Sequence, residues 1–575
     1  MMNQVIVQFN EFSSIQSKSY PFGTKILTAL KAANVMDHAD KSARKYEKNP
    51  IVAVLVNNEL KSLSDPLEYN CAVSPIRLFS EYGKRMYRHS LCFLFTMAGK
   101  IVCPERDMVI GHSLGDGYYF TFSEGESVSE ELTDELEDTM RGLAAREISI
   151  SKIIVAYNEA LEWLSNAGRH NSVLLLTYQN KAAVQLYECG NYRDISYEPL
   201  LSSTALITNF QLRTYGADGM LLRYPRSDNP LKIGNFSDNP VLFSIYQEYK
   251  NWGAILSADN LGKVNQLCEK RQIAPFIQVA ESLQNKKISN IADLIAKKRT
   301  AHDHDNAPFL KFILIAGPSS SGKTTFAKRL SIQLKVLGFK PLAISLDDYY
   351  RDRKDVPLDS DGKPDLEALE ALDISRLNSD LLELSSSGKV RIPQFDFSIA
   401  KRKSEEKELL LPEKGIIILE GIHGLNPELT SGLPDESKFK IYISALTQLN
   451  LDNHNRISTT DNRIIRRMVR DHNFRGMSAL ETLNMWPSVH RGEKANIFPY
   501  QNNADAAFNS ALDYELAVLK PYAEPLLKTV KPSDPVYWHA VRLLTFLDNF
   551  YPVPANLVPA DSLLREFIGG SIFDT

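Results

Sequence analysis

Apolar runs of strand length and apolar recurrences of helical spacing alternate along this chain of 575 residues. Residues 5–9 and 51–56 read as strands, and residues 25–33 between them read as a helix. Residues 226–305 are mainly helical in pattern, with apolar positions recurring about every 3.6 residues at 242–249 and 275–283. From residue 309 the pattern becomes that of a buried parallel sheet. Residues 309–316, 341–346 and 414–420 are nearly continuous apolar runs, and the stretch 325–335 is helical. Residues 297–306, Lys-Lys-Arg-Thr-Ala-His-Asp-His-Asp-Asn, read as a polar hinge. His302 and His304 have no partners at metal-ligand spacing, which makes them part of a solvated linker. No run approaches the roughly 18 apolar residues of a membrane span.

One junction in this pattern carries chemistry. Residues 317–324 read Gly-Pro-Ser-Ser-Ser-Gly-Lys-Thr, a complete G-x-x-x-x-G-K-[ST] loop between an apolar run and a helix. Gly317 and Gly322 let backbone N–H groups turn inward around a polyphosphate at a helix N-terminus. Gly317, Pro318, Ser319, Ser320, Ser321, Gly322, Lys323, Thr324 and Thr325 form the expected cradle for ATP or GTP. Lys323 reaches the β- and γ-phosphates and the Thr324 hydroxyl is a candidate Mg²⁺ ligand.

Three further features lie downstream. Asp347 follows the run 341–346, where a carboxylate can orient and deprotonate a hydroxyl attacking the γ-phosphate; a turn-capping Asp is the alternative. Glu420 ends the run 414–420, a position suited to Mg²⁺ or its waters. Arg463, Arg466, Arg467 and Arg470 fall at i, i+3, i+4 and i+7 on one helix face. That stripe is either a solvated ion-pair face or a lid closing positive charge over a transferring phosphoryl group, with Arg475 a further candidate.

Composition narrows the setting. Hydrophobic content of 43% and charged content of 24% are ordinary for a soluble globular protein, and a net charge of −4 gives no global pull toward nucleic acid or membrane. Five cysteines without a C-x-x-C pair argue against a disulfide framework and for a reducing compartment. The N-terminus lacks the basic and long apolar regions of a signal peptide, so a cytoplasmic location is expected.

Two family resemblances add to this reading. Residues 56–67 resemble the TGS domain, a β-grasp module at the start of threonyl-tRNA synthetases. Residues 87–95, 115–122, 130–146 and 186–196 resemble the editing domain that follows it. That domain's site uses an H-x-x-x-H and a C-x-x-x-H pair. Here the four positions are His89, Phe93, Ser196 and Leu200, so the resemblance implies the fold without the editing chemistry. Residues 317–324, 345–350, 392–397, 419–422 and 463–471 resemble the uridine kinase and phosphoribulokinase family. The resemblance implies a multidomain α/β chain: a β-grasp domain at 1–66, an α+β editing-like domain at 67–225 and a helical connector at 226–305. A P-loop kinase domain, its parallel sheet flanked by helices, with a C-terminal helical extension, completes it at 306–575.

For the site, the resemblance implies Asp347 as general base, with Lys323, Arg467 and Arg470 in the catalytic set. Tyr350, Phe395, Asp396 and Arg463 fall on the acceptor side, with Phe395 packing on a base. The histidine that reads the pyrimidine edge in uridine–cytidine kinases is replaced by Ala400, and both Asp365 and Glu367 lie near the position that holds ribose hydroxyls. The expected activity is transfer of the γ-phosphoryl group of ATP or GTP, with Mg²⁺, to the 5′-hydroxyl of a nucleoside-like acceptor. A sugar phosphate is the alternative acceptor, with Arg351, Arg353 and Lys354 as its basic cluster. A nucleotide-gated regulator contacting tRNA or ribosome through residues 1–225 is a third reading, with Lys41, Arg44, Lys45, Lys84, Arg85 and Arg88 as its patch. A homo-oligomer is compatible with all three.

Overall fold

The computed structural model describes residues 4–11, 14–33, 49–123, 125–226, 229–256, 258–302, 310–359, 362–396 and 401–573. Lys41, Arg44, Lys45, His304 and Ala400 lie outside the described residues, as do the side chain of His302 and residues 303–309.

The first sheet runs in the order Ser14–Pro21, Gln4–Glu11, Cys71–Arg77, Ile51–Val56, Glu59–Ser62, with Gln4–Glu11 parallel to Cys71–Arg77. Val5, Val7, Phe9 and Val54 share a core with Leu30 of the helix Ile26–Ala32. Period-2 burial in the first strand explains the pairing of sheet face and helix. This sheet takes in Cys71–Arg77, so its unit continues past residue 66.

Beyond it, the helix Glu81–Val102 begins at Ser80, whose hydroxyl accepts from the Gly83 N–H at 3.1 Å. This helix packs on a four-stranded sheet through Leu91, Phe95, Phe120 and Leu222. A three-stranded sheet built on Ile150–Ala156 and Ala183–Cys189 lies alongside.

The helical stretch 226–305 differs from the expected connector. Its last helix, Ile273–His302, lies in the core of the parallel-sheet unit, where Ile288, Ile291 and Ile295 pack with Ile313, Phe326, Leu330 and Ile418. The same helix places Arg299 Nη1 3.3 Å from the Gly415 carbonyl. It is one layer of the C-terminal unit because its apolar face has the sheet and the loop helix to bury against.

That sheet is wholly parallel, in the order Lys340–Ser345, Gly415–Glu420, Phe312–Ala316, Lys438–Ser444, Ala506–Asn509. Phe312 and Leu314 face one core with Leu377 and Leu381, while Ile313 and Ile315 face the other with Phe326 and Leu330. Burial on both faces is why these strands read as continuous apolar runs. Register pairs Ser345 with Glu420 and Ile315 with Glu420, which gathers the carboxyl ends of three strands where ligands of such sheets bind.

The N-terminal and C-terminal halves meet through charge. Asp461, 2% exposed, accepts from Arg85 Nη2 at 2.8 Å and Arg542 Nη2 at 2.7 Å, and both guanidiniums also reach Glu198. Next to this quartet, residues 450–456 dock on the N-terminal half. His454 Nδ1 donates to Asp194 at 2.5 Å, Arg169 donates to His454 Nε2 at 2.7 Å, and the Ile110 N–H donates to the Asn453 carbonyl at 2.8 Å.

Burial alone would raise the Asp461 carboxyl, but Arg542 and Arg85 overcome it and hold it well below the usual range. A depressed carboxyl stabilises the fold above its unfolded pKa and loses that contribution as pH falls. Asp461→Asn is therefore expected to cost about 3 kcal/mol at neutral pH, since it leaves buried guanidiniums short of an anion. It should also flatten the fall of stability below about pH 4. Denaturant unfolding of the full chain across pH checks both.

Candidate active site

The strand Phe312–Ala316 runs into residues 317–322 and then the helix Lys323–Val336. The turn needs its glycines. Gly322 is left-handed at φ +81° and stands at the helix N-cap, while a Cβ on Gly317 would overlap the Ile443 carbonyl oxygen. Ser320 adopts φ +58° without being glycine, and Arg466 Nη1 reaches its carbonyl at 3.3 Å.

Lys323 sits between cation- and anion-favouring surroundings. Burial pulls its ammonium down, while Glu420, Asp347 and Glu566 pull it back up. Its Nζ donates to the Pro318 carbonyl at 3.2 Å. Thr324 Oγ1 donates to Glu420 Oε1 at 3.1 Å, and Ser345 Oγ reaches the same oxygen at 3.4 Å. Three oxygen atoms on three elements make a hard-ligand set of the kind Mg²⁺ takes, and Thr324 and Glu420 are the residues that would hold it. Asp347 lies in the turn Leu346–Tyr349, directly after the neighbouring strand. Burial pushes its carboxyl up, against Lys323, Arg475 and Arg470. Burial and Asp347 together push the Glu420 carboxyl up as well. Asp347, Glu420, Lys323 and Thr324 thus share one field at the carboxyl edge of the sheet.

The helix Thr459–Arg475 carries the arginine stripe, and the structure divides its members. Arg463 was expected on the acceptor side; instead it is 3% exposed, pairs with Glu493 (Nη1 to Oε2, 2.9 Å) and donates from Nε to the Ser319 carbonyl at 3.0 Å. Arg466 is fully buried, bonded to Glu515 and to Ser510 Oγ at 3.1 Å. These two clamp the loop in a dry environment where a swinging lid has no room. Arg467 Nη1 donates to Ser319 Oγ at 2.7 Å and pairs with Asp471. Arg470 also pairs with Asp471 and acts on Asp347 and Lys323, so it faces the reacting region.

On the opposite wall, Tyr350 and Phe395 pack at 5.8 Å between ring centroids, and Tyr350 Oη donates to the Leu366 carbonyl at 3.0 Å. The Phe395 N–H is 3.4 Å from Asp348 Oδ1. Asp396 pairs in strand register with Lys401. Between Asp365 and Glu367 the structure favours Glu367: its Oε2 is buried without a hydrogen-bond partner among the described residues. Burial and Glu493 push its carboxyl up to about 7, against Arg467, Lys323 and Arg463. Arg353 and Lys354 are solvent-exposed on the turn Arg353–Asp355, and Arg351, also exposed, donates from Nε to the Leu372 carbonyl at 3.2 Å.

Two residues of this site escape sequence reading. Glu493 Oε1 accepts from the Ser319 N–H at 3.0 Å, and Glu566 Oε2 accepts from Thr325 N and Oγ1 at 3.2 and 2.9 Å. Both carboxylates take N–H groups that suit an anion at a helix N-terminus. Glu566 lies 241 residues from Thr325, with no local signal. The four editing-site positions also resolve: His89, Phe93 and Ser196 line a cavity of about 30 Å³ with His454, Asn455 and Arg456, while Leu200 is buried in the core. The docked loop fills that pocket.

Residues 312–517 match the model of the phosphoribulokinase/uridine kinase family, so the C-terminal half carries a P-loop kinase domain of that type. The N-terminal half is similar to threonine–tRNA ligases. The ligase of Francisella tularensis subsp. novicida (strain U112) is 26% identical over 262 residues, 45% of this chain and 36% of the relative. That of Clostridioides difficile (strain 630) is 26% identical over 184 residues, 32% of this chain and 29% of the relative. The chain thus spans about a third of the length of these curated relatives. Among solved structures, one described as a possible uridine kinase from Bacillus stearothermophilus is 18% identical with a TM-score of 0.25, covering 38% of this chain and all of its own. A D-glycerate 3-kinase from Cryptococcus neoformans is 15% identical with a TM-score of 0.23, covering 45% of this chain and 87% of its own.

Because Glu566 holds an N–H and a hydroxyl that a phosphate oxygen can take, a bound nucleotide must displace it. Glu566→Gln removes the competing charge and is expected to tighten Mg·ATP binding by about 3–10-fold, an effect of roughly 1 kcal/mol. Calorimetric titration of the full chain measures it.

Proposed function

We propose that the C-terminal half transfers the γ-phosphoryl group of ATP to a hydroxyl of a small nucleoside-like acceptor. The observation that carries this is the placement of Asp347 and Glu420 at the ends of adjacent strands, beside Lys323 and Thr324. The acceptor oxygen attacks the γ-phosphorus as its proton passes to Asp347. The bond from the γ-phosphorus to the bridging oxygen breaks, and the electron pair leaves with ADP. Mg²⁺ held by Thr324 and Glu420 would neutralise phosphate charge. Lys323 and Arg470 supply fixed positive charge where it develops, and Arg463 and Arg466 hold the loop rigid so that no reorganisation is required.

The acceptor assignment rests on the aromatic pair Tyr350 and Phe395 and on the orphaned oxygen of Glu367. A flat ring packs on the first, and a hydroxyl donates to the second. Arg351, Arg353 and Lys354 are exposed, and Arg351 Nε is engaged by the Leu372 carbonyl at 3.2 Å, which favours the nucleoside-like acceptor over a sugar phosphate.

Two variants separate chemistry from acceptor binding. Asp347→Asn is expected to lower kcat by about 10²–10⁴ while Mg·ATP binding stays within a few-fold. Because the Asp347 carboxyl lies above its ordinary range, wild-type rate should fall as pH drops from neutrality through that raised value. Glu367→Gln is expected to raise the acceptor KM by about tenfold, with kcat changing less. Steady-state kinetics resolve the two patterns, and wild-type turnover in Asp347→Asn would remove it from the mechanism.

A further inference from the structure

A large cavity lies away from the phosphate loop, in the seam between the two halves. It has a volume of about 990 Å³, enough for a nucleotide-sized ligand, and Lys and Arg outnumber Asp and Glu on its walls by seven to four. Net positive lining is notable in a chain whose overall charge is −4. The acids there are already engaged. Glu198 and Asp461 are held by Arg85 and Arg542, Asp116 by Arg223 and Glu81 by Lys84.

Of the seven wall cations, Arg85, Arg542 and Lys84 pair with those acids, and two others, Arg88 and Arg456, come one from each half. Arg88, on the helix Glu81–Val102, places its guanidinium 5.4 Å from the Tyr224 ring centroid, and its Nε donates to the Lys84 carbonyl. Arg456, on the docked loop, sits 5.3 Å from the Tyr118 centroid. Those two rings pack 5.2 Å apart, so the guanidiniums flank one aromatic pair. Among the described residues, neither arginine has a carboxylate partner. Both side chains are half-buried, and partial desolvation of a guanidinium without an anion carries a cost. His89 and His112 nearby are neutral at pH 7, burial pushing each down to about 3, so the positive charge rests on the arginines.

Other wall features favour a polar ligand. Ser458, Thr459 and Thr460 line the cavity at the start of the helix Thr459–Arg475, whose N-terminus carries partial positive charge. Tyr82 and Trp486, 6% and 5% exposed, also line it, and among the described residues neither Tyr82 Oη nor Trp486 Nε1 has a hydrogen-bond partner.

We propose that this cleft is a second ligand site, for a small phosphomonoester held between Arg88 and Arg456. Paired guanidiniums and helix N–H groups suit a dianionic phosphate, and the volume accommodates the sugar or nucleoside attached to it. The ligand would bridge the halves at the start of the helix that clamps the phosphate loop through Arg463 one turn later. Its occupancy therefore bears on the geometry of the kinase site.

The test uses the full-length chain carrying Lys323→Ala, to weaken phosphate binding at the loop, and titrates ribose 5-phosphate, AMP and inorganic phosphate by calorimetry. At least one organic phosphate is expected to bind near one equivalent. Adding Arg88→Gln and Arg456→Gln should weaken it by about tenfold or more, while Arg456→Lys keeps most of the affinity. Thermal unfolding without ligand confirms that each variant is folded, and Arg456→Lys serves if the Gln pair is not. Absence of binding, binding indifferent to both Gln substitutions, or binding of a short RNA oligonucleotide alone would each overturn the proposal.

Discussion

The buried ion pairs of the helix Thr459–Arg475 are what the rest of the site depends on. Arg463 with Glu493 and Arg466 with Glu515 are almost wholly removed from solvent. Such pairs are expensive to bury and persist where every remaining donor finds an acceptor. Here Arg463 Nε and Arg466 Nη1 reach the Ser319 and Ser320 carbonyls, on the loop that must keep its N–H groups turned inward, while Arg466 Nε has no partner among the described residues. The pairs thus turn a glycine- and serine-rich loop, entropically costly to order, into a fixed cradle. Arg467 and Arg470, further along the same helix, are placed by the same anchoring.

The helix is itself held from the other half of the chain. Asp461, in its first turn, closes the quartet with Arg85, Glu198 and Arg542, and the preceding loop fills the pocket lined by His89, Phe93 and Ser196. In this arrangement the N-terminal half acts as a mould for the segment that enters the arginine helix. The positions of His89, Phe93 and Ser196 face His454 of that loop, so this surface serves as a docking face.

Local features were legible in the sequence and distant ones were not. The loop 317–324, the strand ends at Asp347 and Glu420, and the arginine face follow from short-range pattern, because each depends on neighbours within one element. The helix Ile273–His302 read as a connector because periodicity reports an apolar face without saying what covers it. Arg463 was misplaced for a related reason: its spacing puts it on the correct face, but its partner Glu493 lies on another helix. Glu566 became visible only through its contacts, capping the loop helix from the far end of the chain, while Glu367, named beside Asp365 from the sequence, is set apart by an unfilled oxygen. Ala400 remains outside the described residues.

On the proposed function, phosphate moves from ATP to a small hydroxyl compound at the carboxyl edge of the parallel sheet. The most direct measurement incubates the full-length chain with Mg·ATP and a panel of nucleosides, sugars and sugar phosphates, following ADP release together with product mass. The account predicts ADP release that depends on a nucleoside-like acceptor and a product heavier by one phosphoryl group. Tight ATP binding with no acceptor phosphorylated, or ADP release matched only by free phosphate, would contradict it.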